Sequence, residues 1–148
     1  EDFKLATGTF VSVGPLRAKI IDAGAPCIQD AVITGLNQHE VGAMVFPNVA
    51  ACRKLSELNA DAGMDQVLTS TPVLAHFQQV VDTLAASATG SANRIAKLCL
   101  LAEPPTLDRG EITDKGSINQ RAVLTLRAAT VDALHAGSLP HTLTPQAA

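Results

Sequence analysis

The residues best suited to chemistry lie in one short stretch, Arg109-Gly110-Glu111-Ile112-Thr113-Asp114-Lys115-Gly116-Ser117. It is polar, punctuated by two glycines, and runs directly into an apolar periodic segment that reads as a helix able to hold it in place. A lysine at the tip of such a loop is a flexible point charge that can reach a carboxylate or a phosphate presented by another domain. Most loop lysines are simply solvated, and composition does not choose between the two. Elsewhere the prospects are poorer. His39, His76, His135 and His141 lack the paired spacing of metal ligands, so they read as unconnected surface or boundary residues and no metal site is expected. Cys27, Cys52 and Cys99 are odd in number, widely spaced and set in apolar surroundings, the pattern of buried reduced thiols rather than of a disulfide frame. No nucleophile motif joins Ser, Cys and His, so hydrolase chemistry has no support.

The elements that must position the loop follow from periodicity and punctuation. Residues 3–5 and 9–13 flank Ala6-Thr7-Gly8, where glycine can take the positive φ of a tight turn, and predict an N-terminal hairpin. Pro15 opens a helix of about three turns carrying Leu16, Ile20 and Ile21, which Gly24 and Pro26 stop. Residues 28–34 and 41–46 are β-branched runs around a polar turn and predict two paired strands. Asn48 is a good N-cap for the next helix, and Asp61-Ala62-Gly63 reads as a break. Thr71-Pro72 opens the clearest helix, on which Val73, Leu74, Phe77, Val80, Val81 and Leu84 form one apolar stripe. A strand over 95–101 and an exposed loop through Gly116 follow. Ser117 and Gln120 have the spacing of a capping box, and Ile118, Ala122, Leu126, Ala129 and Ala133 form the expected buried face of a single final helix. The order is ββαββααβα, an α+β fold with an N-terminal β-hairpin and a small sheet covered by helices. Residues 1–136 make the domain, and 137–148 read as a flexible tail.

Composition bounds the function. The 148 residues fit one domain, and 47% apolar content is enough for a core. A net charge of -3, no Trp, no Tyr and only four Phe disfavour nucleic-acid binding. The longest apolar runs, 31–33 and 41–46, are far short of the ~20 residues of a membrane span. The start, Glu1-Asp2-Phe3-Lys4, has no basic region followed by an apolar core, so with the thiols it points to a cytoplasmic compartment.

Four stretches taken in order, 3–8, 26–32, 41–47 and 107–124, resemble the small C-terminal domain of AMP-forming acyl-CoA synthetases, the adenylate-forming superfamily. Within it, Phe-Lys-Leu-Ala-Thr-Gly-Thr-Phe-Val at 3–11, Val-Gly-Pro-Leu-Arg at 13–17 and Asp-Arg-Gly-Glu-Ile-Thr-Asp-Lys-Gly-Ser-Ile-Asn-Gln-Arg-Ala-Val-Leu at 108–124 are similar to feruloyl-CoA synthases. The resemblance implies a two-step ligase. ATP and a carboxylic acid give an acyl-adenylate, and coenzyme A then displaces AMP, with Mg and the substrate pockets supplied by a large N-terminal adenylation domain. The fragment alone is expected to bind no cofactor and to be inactive. Carried over by position, Lys115 is the adenylation lysine, Gly8 and Lys4 belong to the pantetheine channel, Glu1 and Asp2 fall at the interdomain hinge, and Arg17 is a possible contact for the CoA phosphate. The usual motif has Gly-Lys directly before an aliphatic residue. Aligning on Ile118 puts Ser117 in that place and Lys115 two positions earlier. A medium- or long-chain acyl-CoA ligase, or a non-catalytic interaction module of the same fold, are the alternatives.

Overall fold

The computed structural model describes residues 1–146. Strands β1 (Phe3–Lys4) and β2 (Phe10–Val11) pair antiparallel, Phe3 opposite Val11 and Lys4 opposite Phe10. Helix α1 (Val13–Gly24) follows, with Asp2 rather than a neighbouring residue capping it: its Oδ1 accepts from Val13 N at 2.9 Å. Strands β3 (Ile28–Thr34) and β4 (Val41–Pro47) form an antiparallel pair, and β5 (Ile95–Leu100) lies parallel to β4, giving the order β3-β4-β5. Parallel neighbours need a crossover. It is made by α2 (Val49–Ser56), α3 (Met64–Leu68) and α4 (Thr71–Ser87), and α5 (Gln120–Leu126) and α6 (Ala128–Ala136) close the chain.

Alternation along the strands sorts the core into two layers. Val41, Ala43 and Val45 of β4 join Leu16 and Ile20 of α1, Cys52 of α2, Val67 and Leu68 of α3, and Val73, Phe77, Val80, Val81 and Leu84 of α4. Met44 and Phe46 point the other way, to Val32, Cys99, Val123 of α5 and Leu134 of α6. The sheet is thus covered on both faces, as its near-continuous burial from Ala31 to Phe46 outside the turn requires. All three thiols are buried and unpaired; desolvation pushes Cys52 and Cys99 up to about 12, which leaves them protonated and unreactive. Among the described residues no helix is long and apolar enough to cross a membrane.

The elements expected as far as β5 are present, with one addition: after the break at Asp61-Ala62-Gly63 the chain makes the short helix α3. The last helix differs more. Arg127, at φ -112° and ψ 31°, splits it into α5 and α6. The split turns the two halves, so Val123 and Leu134 are buried whereas Leu126 is 41% exposed and Ala129 is exposed too. The expected capping box of Ser117 and Gln120 is also absent. Asn119 is the cap, its side chain accepting from Ala122 N at 3.1 Å, and Gln120 is buried with its amide on Ile33. The histidines are not all unconnected: His135 Nε2 meets Thr34 Oγ1 at 2.6 Å, and His76 Nε2 lies 3.0 Å from Gly24 O. The tail, expected to be flexible, is tied down as far as it is described. Leu143 exchanges both backbone hydrogen bonds with Leu98 at 2.8 and 2.9 Å on the edge of β5, and Gln146 N donates to Asp82 Oδ1. A free sheet edge offers partners that no sequence period announces. Residues 147 and 148 of that tail lie outside the described residues.

Candidate functional site

Lys115 sits at the tip of a second hairpin. Its legs meet at an antiparallel bridge between Ile112 and Ile118, and its turn is closed by Gly116 N donating to Thr113 O and Thr113 N donating to Ser117 O, both 2.9 Å. Ser117 N also donates to Thr113 Oγ1 at 3.1 Å. Gly116 has φ +84°, a conformation that costs a residue with Cβ about 1 kcal/mol or more, so the glycine after the lysine is what lets the chain reverse there. Lys115 is exposed and makes no hydrogen bond or ion pair among the described residues. Its ammonium is a free cation on a short, tightly closed turn.

The loop expected to be wholly exposed has a buried anchor that sequence reasoning missed. Glu111 is 2% exposed, and its carboxylate accepts from Arg127 Nε at 2.7 Å and Nη2 at 3.0 Å, and from Thr106 N and Oγ1, both at 3.0 Å. The Arg127 guanidinium above all holds this carboxyl down, to about 2; burial pushes against it and the Thr106 donors add to it. Arg127 lies 4.9 Å over the Phe46 ring and donates to the carbonyls of Glu103 and Pro104, both at 3.0 Å. In sequence Glu111 is one acidic residue in a polar run and Arg127 one basic residue on an expected helix. Nothing in their spacing joins them. Beside this anchor a cleft of about 530 Å³ opens at the carboxyl end of β5, lined by leucines that include Leu68, Leu101 and Leu126 together with the polar Glu111, Arg127 and Arg109.

The first hairpin is separate. Gly8 N donates to Leu5 O at 2.8 Å and Leu5 N to Thr9 O at 2.9 Å, with Gly8 at φ +89° as the turn requires. The hairpin docks on the β3–β4 turn through Ala6 N and Gln38 O at 2.8 Å. Among the described residues a Cβ on Gly8 would meet nothing within 4 Å. Lys4 is exposed beside Phe10, itself 55% exposed. Among the described residues no hydrogen bond joins the two hairpins. Glu1 is exposed, and Asp2 is engaged with α1 as described. Arg17 does not stand free: its Nε and Nη2 donate to both carboxylate oxygens of Asp30 at 2.6 and 2.8 Å, a bidentate pair within the domain, with the side chain 37% exposed.

The two exposed hairpins stand on one small α+β domain. A model of the AMP-binding enzyme C-terminal domain covers residues 3–138, and so includes both hairpins and every helix. The chain belongs to this family. Among solved structures, the A domain of carboxylic acid reductase from Segniliparus rugosus, in complex with AMP and a co-purified carboxylic acid, superposes with a TM-score of 0.65 at 18% identity, over 93% of this chain and 20% of that one. The A-PCP didomain of the same enzyme gives 0.65 at 20% identity, over 92% and 17%. The adenylation domain of the Mycobacterium chelonae carboxylate reductase gives 0.61 at 21%, over 91% and 19%. At these identities the likeness establishes the fold. The chain spans about a fifth of the length of those chains. No curated protein matches the sequence.

Proposed function

We propose that this C-terminal domain serves an ATP-dependent, AMP-forming ligase that converts an aromatic, feruloyl-type carboxylic acid to its CoA thioester, working against a larger N-terminal adenylation domain that holds ATP, Mg and the acid. The observation that carries the reading is Lys115, an unpaired ammonium on a hairpin tip that projects from the domain. In the first half-reaction a carboxylate oxygen attacks the α-phosphorus of ATP and pyrophosphate leaves. Negative charge grows on the phosphorus oxygens, and a preorganised ammonium placed there stabilises it more in the transition state than in the ground state. In the second, the CoA thiolate attacks the acyl carbon and AMP leaves. The Gly8 hairpin, with Lys4 on its first strand and no side chain at Gly8, suits the approach of a narrow pantetheine arm, and by the resemblance Glu1 and Asp2 fall at the hinge between the two arrangements. The aromatic acid rests on the wording of residues 3–11 and 108–124.

The test is acid-dependent exchange of pyrophosphate into ATP by the intact enzyme, with ferulate, benzoate, octanoate and palmitate compared. Lys115→Ala is expected to lower exchange by about 10² to 10³ while leaving thioester formation from supplied feruloyl-adenylate largely intact. Equal loss in both half-reactions, or none, refutes the role of Lys115. Preference for octanoate or palmitate refutes the aromatic substrate and assigns a medium- or long-chain ligase.

A further inference from the structure

We propose that Glu111 and Arg127 are positioning residues for the adenylation half-reaction, a rigid foot that sets where the Lys115 hairpin stands; the proposal rests on the reading of Lys115 given above.

Lys115 has no partner among the described residues, so nothing but the hairpin backbone decides where its Cα lies. The two legs converge on Glu111 and Asn119, where Asn119 N donates to Glu111 O at 2.9 Å. Beyond that point the hairpin is exposed, apart from half-buried Ile112 and Ile118. Its orientation is therefore set at the root, and the root is the Glu111 side chain. Four donors converge on that carboxylate, two from Arg127 and two from Thr106. Glu111 N in turn donates to Thr106 O at 2.9 Å, locking the same two segments through the backbone.

Arg127 extends the foot to the rest of the domain. All three guanidinium nitrogens are used: Nε and Nη2 on Glu111, Nη1 on Glu103 O, and Nη2 also on Pro104 O. Its plane lies over Phe46, a fully buried residue of β4. One side chain thus joins the sheet, the 103–106 segment, the root of the hairpin and the junction of α5 and α6. The break at Arg127 has a reason in this arrangement, since the non-helical ψ of 31° there falls at the residue that reaches back to the hairpin root. Burying an ion pair of this kind is weak evidence for net stability, because desolvation offsets much of the attraction. A fixed bidentate geometry is what such a pair supplies that apolar residues do not. Reaction rates respond steeply to position: a misplacement of about 1 Å can cost about 10²-fold.

Glu111→Gln keeps the volume and removes the charge; Arg127→Lys keeps the charge and removes the fork. In the intact enzyme each is expected to lower pyrophosphate exchange by about 10-fold or more, with thioester formation from supplied acyl-adenylate within about 2-fold of the unmodified enzyme. Thr106→Val, which removes only the hydroxyl donor, should give a smaller loss in the same half-reaction. The decisive measurement is the double variant. If the foot acts through the lysine, Glu111→Gln adds little to the loss already caused by Lys115→Ala. Full additivity, or equal loss in both half-reactions, overturns the proposal in favour of a merely structural pair. Hydrogen exchange in the 148-residue chain reads the mechanical part separately. Glu111→Gln should speed exchange at the Thr113, Gly116 and Ser117 amides while that of Val45 is unchanged. A loosened hairpin without kinetic loss overturns this proposal alone, whereas an inert Lys115→Ala overturns the reading on which it rests as well.

Discussion

Gln120 offers the most quantitative test of how the Lys115 hairpin is joined to the sheet. Strand β3 is an edge, and its Ile33 has a backbone N–H and C=O facing away from β4 that would otherwise be orphaned. The Gln120 side chain fills both needs, Oε1 accepting from Ile33 N at 3.0 Å and Nε2 donating to Ile33 O at 2.8 Å. Both residues are buried, Gln120 at 4% exposure and Ile33 at 0%. Gln120→Leu retains most of the volume but removes the two bonds. Each is worth about 1 kcal/mol net, and leaving a buried donor and acceptor unpaired adds about 1 to 3 kcal/mol where water cannot reach them. A loss of about 3 kcal/mol is expected. Urea unfolding followed by circular dichroism should show a lowered midpoint at unchanged slope, and the melting temperature should fall by roughly 10 °C for a chain of this size. Gln120→Glu supplies a control with a distinct signature. As a carboxylate it can accept from Ile33 N but has nothing to give Ile33 O, and burial raises its pKa. Stability should therefore recover as pH falls and the protonated acid becomes a donor, the reverse of an ordinary acid-destabilised protein. A cost below about 0.5 kcal/mol for Gln120→Leu, or no recovery in acid for Gln120→Glu, would refute the account.

Two further outcomes are expected. Because the Glu111 carboxyl is held at about 2 in the folded chain against an ordinary 4.5, its contribution is present above pH 4.5 and is lost as pH falls toward 2; at about 1.36 kcal/mol per tenfold in proton affinity that is on the order of 3 kcal/mol. Urea midpoints measured from pH 6 to 2 should fall more steeply in the unmodified chain than in Glu111→Gln, and parallel curves would show that the pair contributes nothing to acid stability. At Gly8 a Cβ meets nothing within 4 Å among the described residues, so the main structural cost of Gly8→Leu is the positive φ, about 1 to 2 kcal/mol, and the chain should stay folded. In the intact enzyme, pyrophosphate exchange should then survive while thioester formation is lost, and parallel loss of both with a collapsed melting temperature would reject the channel role.

The parts of this domain that were legible in the sequence are those where one local rule decides. The stripe from Val73 to Leu84 has a single buried face because a 17-residue helix against a sheet has only one way to bury it. Asn48 caps α2 through its own side chain, and Gly8 stands at positive φ where the first tight reversal needs it. Lys115 was identifiable as an exposed tip from the same local signals, and its family wording set it apart from other loop lysines.

Other features depended on partners distant in the chain. Nothing local in the sequence joins Arg17 to Asp30, thirteen residues on, which holds both ends of its guanidinium fork. Leu143 lies in a segment with no apolar period, yet it pairs with Leu98 because β5 is an edge strand, a fact of sheet order and not of composition. Glu111 and Arg127 are sixteen residues apart, and the helix break that lets them meet is at Arg127 itself. The sequence by itself determined most of the elements through β5, the first hairpin turn and the exposed lysine, because propensity, capping and positive φ act over a few residues. Only the tertiary structure decided which charges are free and which are spent, because burial, sheet edges and bidentate pairing arise between segments that local pattern does not connect.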